Sequence, residues 1–204
     1  MFEQEGQNKA TAIQVNGADS PIQPAGLTTV SDLLELVKTT IDPDQMITAI
    51  AVDGRQLEDA EWEAAPSRYR LIEIETDLPE RYVAARLTLA SEIIRNIYFQ
   101  FKHSRKSFQN AKMQEGNLQL KEAVEGLHAF FTWYATLMGL VPAEGQHGLS
   151  ITTETEKLVE ICKKIIQQQL YQSWWALGES IEAELEPALE ELEFFLRNIQ
   201  VDEV

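Results

Sequence analysis

Ile50-Ala-Val-Asp-Gly-Arg-Gln-Leu-Glu-Asp59 closes a β-rich run that begins at Met46 and stops at Asp53-Gly54, a dipeptide suited to a tight turn. Upstream, Thr11-Ala-Ile-Gln-Val15 alternates apolar and polar residues and stops at Asn16-Gly17, the pair favoured in two-residue hairpins. Ile22 and its neighbours are the expected returning strand. Between the two turns, Thr29 precedes apolar residues at Val30, Leu33, Leu34, Val37 and Ile41, and Asp32 follows where an acid favours a helix N-terminus. That spacing predicts one helix of about three turns, ended by Pro43. Downstream, Tyr69 to Glu75 alternates with Ile72 and Ile74 on one face. The expected order is β-β-α-β-β.

That order is the one ubiquitin-like β-grasp domains have. Gly54-Arg-Gln-Leu-Glu-Asp59 resembles the hairpin after the helix in ubiquitin, where a Gly-basic-Gln-Leu-Glu-Asp run also occurs. The resemblance covers roughly residues 10–77 and implies a small sheet grasping one helix. Modifiers and sulfur carriers of this superfamily act through a free C-terminal Gly-Gly. Here the last strand runs through Glu75-Thr-Asp-Leu-Pro79 into a helix, so neither conjugation nor sulfur transfer is expected.

Beyond Pro79 the apolar period becomes helical, which divides the chain into a β-grasp domain, 1–78, and a helical domain, 79–204. Val83, Leu87, Ala90, Ile94, Ile97 and Phe101 are spaced 4, 3, 4, 3, 4. Leu120, Val124, Leu127, Phe131, Tyr134 and Met138 repeat the spacing, as do Ile181, Leu185, Ala188, Leu192, Phe195 and Ile199. A further helix through Leu158, Cys162, Ile165, Leu170 and Trp174 opens with the capping-box pattern Thr153-Glu-Thr-Glu156. The fold class expected is therefore α+β, a ubiquitin-like β-grasp domain followed by an all-α antiparallel bundle of about four helices. Breaks are expected at Gly116-Asn117, across Val141 to Ser150 with Pro142, Gly145 and Gly148, and at Ala176-Leu-Gly-Glu-Ser180. Pro187 either kinks or starts the last helix, and Arg105 to Lys112 either continues the first or lies beyond it.

The charge balance narrows the partners. The 204 residues carry 17 Lys+Arg against 33 Asp+Glu, a net charge of −16, so the mean field repels phosphate backbones and anionic membrane surfaces. No nucleic acid and no membrane partner is expected. The longest apolar-rich stretch, Ala129 to Ala143, is shorter than the roughly 20 residues a bilayer needs. One cysteine, Cys162, allows no intrachain disulfide, and the start MFEQEGQNKA lacks the basic-then-apolar pattern of a signal peptide, so the expected location is cytoplasmic.

The sequence offers few residues arranged for chemistry. Glu125-Gly-Leu-His128 is one copy of the Glu-x-x-His spacing that di-iron bundles use twice; His103 follows Gln100, and His147 follows Glu144 in a loop. Glu125 and His128 lie one residue past the seam, on a flank. Cys162 falls among Leu158, Ile161, Ile165 and Ile166, where a thiol packs as a small hydrophobe. Nucleophile-elbow and nucleotide-binding glycine patterns are missing. No cofactor, no metal and no catalytic residue is assigned.

Two surface features remain. Residues 79–176 hold 9 acids and 11 bases while the flanking parts are strongly acidic, and the bases concentrate at Lys102, His103, Arg105, Lys106 and Lys112. They either complement a helix C-terminus and the acidic last helix, or form a landing site for an acidic partner. Trp133-Tyr134 and Trp174-Trp175 are adjacent pairs about 100° apart on a helix, so one of each pair leaves the seam. Tyr134 and Trp174 fit the seams; Trp133 and Trp175 serve a wide core, a contact with the β-grasp domain, or a partner. Phe130, Trp133, Leu189 and Phe194 widen two apolar faces and suggest a homodimer. The expected function is a non-enzymatic protein-protein interaction module, an adaptor or assembly factor with a protein partner. The alternatives are a cytosolic chaperone for secreted or filament-forming subunits, and a metal- or small-molecule-binding bundle.

Overall fold

The computed structural model describes residues 11–142, 146 and 149–199; the expectations about the N-terminal ten residues and about Glu144, Gly145, His147 and Gly148 lie outside them. The chain divides into two compact units between Tyr82 and Val83. The fold is α+β, a mixed five-stranded sheet followed by helices.

In the first unit, β1 (Ala12–Val15), β2 (Ala18–Asp19), β3 (Met46–Val52), β4 (Arg55–Gln56) and β5 (Leu71–Asp77) form a sheet ordered β2-β1-β5-β3-β4. β1 and β5 run parallel at its centre, and every other pairing is antiparallel. Both hairpins turn through consecutive left-handed residues, Asn16 and Gly17 (φ 51° and 77°) and Asp53 and Gly54 (φ 50° and 81°), the geometry that matches strand twist. The helix α1 (Val30–Lys38) starts with the expected capping box, Thr29 accepting from the Asp32 N–H while the Asp32 carboxylate accepts from the Thr29 N–H. Val30, Leu33, Leu34 and Val37 bury against Ile13, Val52, Ile72 and Ile74, each side chain contributing about 1.5–3 kcal/mol on leaving water.

Two local expectations change. The returning strand is only Ala18–Asp19; Ser20 N–H still bonds the Ile13 carbonyl, but the next donor facing β1, the Ile22 N–H, bonds the Ser20 hydroxyl instead, and Ile22 packs against the core from a loop. α1 ends at Lys38, ahead of Pro43, because the Thr39 and Thr40 hydroxyls donate to the Leu36 and Val37 carbonyls. A register shift between Ile47 and Ala49 adds a feature no alternation signals. Ile47 pairs with Thr76 and Ile50 with Ile74, so both isoleucines reach the core although they are three residues apart.

Pro79 is the first residue of α2 (Pro79–Leu87), where a missing N–H costs nothing, and the division between the units falls inside this helix. The seam residues Val83, Leu87, Ala90, Ile94, Ile97 and Phe101 are all buried. They nevertheless span two helices, because Thr88 bonds its hydroxyl to the Ala85 carbonyl before α3 (Ala90–Gln109) begins. α3 packs on α4 (Met113–Met138) and on α7 (Glu186–Arg197); α5 (Thr152–Leu170) packs on α6 (Trp174–Ser180) and α7. Asn117 of α4 accepts a 2.8 Å bond from Gln169 of α5.

The helix breaks differ from those expected. Gly116 and Asn117 lie within α4, and the α3–α4 turn falls at Ala111, φ 58°. Ala176 to Ser180 is helical, and the α5–α6 turn falls at Gln172, φ 53°. At both turns the chain closes in one way. Lys112 N–H bonds the Ser107 carbonyl and Ala111 N–H that of Phe108; Ser173 N–H bonds Gln168 and Gln172 N–H bonds Gln169. Thr153 sits inside the first turn of α5 rather than capping it.

Faces are also rotated from the expected seams. α4 buries Ala123, Phe130 and Leu137 where Val124, Phe131 and Met138 are half-buried, and α5 buries Ile161 while Leu170 stands 76% exposed. Pro187 is absorbed by a π-turn, Ile181–Leu185, in which Glu186 N–H reaches back to the Ile181 carbonyl; the chain stays helical from Trp174 to Arg197.

Candidate functional site

Among the described residues, the turn joining α5 to α6 carries the most exposed large apolar side chains of the helical unit. Leu170, Tyr171 and Trp175 are 76, 82 and 79% exposed, and Ile166, one turn before Leu170, is 47% exposed. Leu170 lies five residues past the buried Ile165, about 140° around the helix, so it points away from the α5 seam, and the left-handed Gln172 then reverses the chain. Beneath the turn, Trp174 stacks on Phe108 with ring centroids 5.4 Å apart and planes 12° apart, and Gly116 leaves room for the Phe108 ring. Trp174 is the foot of the pair and Trp175 its exposed head.

Of the candidates read from the sequence, Trp175 belongs to this surface. Trp133 is half-buried on a flank of α4, its ring 5.8 Å from that of Phe130, which is core at 2% exposure. Phe194 is 68% exposed on α7, but Leu189, expected beside it, is fully buried, so the apolar surplus suggesting a dimer is smaller than its residue list.

The basic cluster dissolves into separate roles. Arg105 is interior: its Nε and Nη2 donate to Glu186 at 2.7 and 3.3 Å, its Nη1 to Gln109 at 3.3 Å, and Nη1 lies 3.0 Å from Glu182. Burial alone would lower its pKa, and the two carboxylates more than reverse that. Lys102 donates to the Tyr98 hydroxyl at 3.0 Å, which raises its pKa. Lys106 is exposed.

Glu125 and His128 both face solvent. Cys162 is half-buried, and desolvation pushes its thiol pKa up, away from nucleophilic thiolate character. Among the described residues no three His, Cys, Asp or Glu side chains converge to hold a metal ion, and no helix is long and apolar enough to cross a membrane.

Leu170 and Tyr171 were not singled out as surface residues by their spacing. A second signal was available: Ile165 to Gly178 holds no charged residue, in a chain that is 25% charged. Charge depletion with aromatic enrichment is the composition of interface centres. No known family model matches the chain, and no curated protein or solved structure matches it significantly either.

Proposed function

We propose that this chain is a non-enzymatic protein-interaction module, in which a ubiquitin-like β-grasp unit is joined to a four-helix bundle that docks a protein partner through the α5–α6 turn. The fold part of the reading is supported by the strand order and the central parallel pair. The functional part rests on one observation: Leu170, Tyr171 and Trp175 stand exposed together on a backbone-locked turn within a charge-free stretch. Monomers seldom leave such patches in water, and Trp and Tyr on a fixed support are the usual anchors of an interface. A different protein suits the turn better than a second copy, because each chain carries −16 and like charge opposes pairing.

The test compares the full chain with a Leu170→Ser, Tyr171→Ser, Trp175→Ser variant and a Phe194→Ser control as baits. Proteins held by wild type and control but lost by the triple variant are then purified and titrated. At least one should bind wild type more than about tenfold tighter than the triple variant. The reading fails if none does, if sedimentation shows wild type dimerising through the turn, or if phosphatidylcholine vesicles bind it in the partner's place.

A further inference from the structure

We propose a second docking site on the sheet unit: the groove between α1 and the outer edge of β3, which accepts a short extended protein segment with apolar alternate residues and basic flanks. The inference goes beyond the aromatic turn, lies on the other unit, and stands even if that turn binds nothing.

The groove has a volume of about 380 Å³, with Ser31 and Leu34 of α1 on one wall, Ile47 and Ile50 of β3 on the other, and Leu57 and Trp62 closing one end. Its β wall is open. β4 pairs with β3 only at Ala51 and Val52, Leu57 N–H adds one bond to the Ile50 carbonyl, and among the described residues no strand covers Met46–Ala49 on that side. An uncovered strand edge beside an apolar groove is the arrangement by which sheets accept an added strand, backbone bonds giving affinity and the groove selecting alternate side chains. The bulge at Thr48 limits such pairing to a few residues, which suits a short segment and disfavours edge-to-edge growth between copies.

Charge selects the flanks. Residues 28–63, which build the groove and its rims, contain 9 acids and 2 bases. The bases are engaged, Lys38 with Glu35 at 2.6 Å and Arg55 with Glu61 at 2.5 Å. Ser31 N–H bonds the Trp62 carbonyl, so the exposed Glu58, Asp59 and Glu63 stand at the N-terminal end of α1. Asp42 and Asp44 stand at the other end, between α1 and the start of β3. An extended segment along the groove therefore meets carboxylates at both of its ends, and lysines or arginines there complement them.

The experiment titrates the isotopically labelled full chain with the synthetic peptide Lys-Lys-Val-Thr-Ile-Thr-Val-Lys-Lys, and separately with its Glu-flanked counterpart, by amide NMR. The basic peptide should shift the Met46–Ile50 amides and the Trp62 indole saturably, and should bind about tenfold or more tighter than the acidic one. Ser31→Gln, which fills the groove, should weaken binding about tenfold, while Leu36→Ala, an exposed position outside the groove lining, should leave it unchanged. The proposal is overturned by any of four results: no saturable shift at millimolar peptide, shifts confined to other surfaces, equal affinity for both peptides, or the same amides moving on dilution without peptide, which would mark a second copy as the occupant.

Discussion

Alanine at Gly116 and alanine at Gly178 should change the stability of the helical unit in opposite directions. Both glycines lie inside helices, where replacing glycine by alanine ordinarily gains about 0.5–1 kcal/mol. At Gly178 a Cβ would meet nothing within 4 Å, so that gain should appear undiminished. At Gly116 it would lie 2.9 Å from Cδ1 and Cε1 of Phe108 and 3.1 Å from Cγ. The ring has little room to move, being 4% exposed and stacked on Trp174. Overpacking of this sort costs about 1–3 kcal/mol, which leaves a net loss of about 0–2.5 kcal/mol, centred on about 1 kcal/mol, after the helix gain is subtracted. Urea unfolding of the full chain followed by far-ultraviolet ellipticity reports mainly the helical unit and separates the variants by about 2 kcal/mol. A Gly116→Ala variant more stable than wild type by the full helix gain would show that Phe108 does not press on Gly116.

Glycine placed at either left-handed turn, Ala111→Gly or Gln172→Gly, should stabilise by about 0.5 kcal/mol, since relief of about 1–2 kcal/mol of strain exceeds the added unfolded-state entropy; a lowered melting temperature for both would contradict the left-handed conformation. Glu186→Gln should cost about 3 kcal/mol by leaving Arg105 short of charge in the interior, whereas Glu182→Gln, with its side chain half exposed, should cost under about 1 kcal/mol; equal losses in chemical denaturation would mean that the pair is not buried.

Much of the sheet unit was legible because its signals are local. Asn16-Gly17, Asp53-Gly54 and the Thr29/Asp32 box each specify one backbone geometry, and all three occur where the residues place them. The helical seams were legible in period but not in phase: Phe130 and Phe131, or Leu196 and Phe195, differ by one position, and only packing decides which turns inward. The helix ends differ from the expected ones for a definite reason. In sequence, glycine marks a break, yet Gly116 and Gly178 are helical, while the α3–α4 and α5–α6 turns are closed by Ala111 and Gln172. Their bonds are backbone to backbone, which composition does not record. The depth of Arg105 is likewise invisible, because it depends on Glu186 far along the chain, and the π-turn ahead of Pro187 is one more backbone bond that residue types do not record.

The aromatic turn depends on those same unrecorded bonds. The spacing runs the α5 seam on through Leu170 to Trp174, but Leu170 is still helical and lies off the buried stripe, and the chain reverses at Gln172 before Trp174 is reached. The reversal instead spends the inward position on Trp174, held by Phe108, and leaves Leu170, Tyr171 and Trp175 outside on a backbone closed by Ser173 N–H to Gln168 and Leu177 N–H to Ser173. Exposed apolar side chains on a frayed end would lose most of their binding energy to ordering, at about 0.5–1.5 kcal/mol for each side chain immobilised and more for the backbone. Here the backbone is already fixed, and Tyr and Trp have only two side-chain torsions each to restrain. A surface built this way is exposed by construction rather than by disorder, which is the physical ground for reading it as a place where another protein sits.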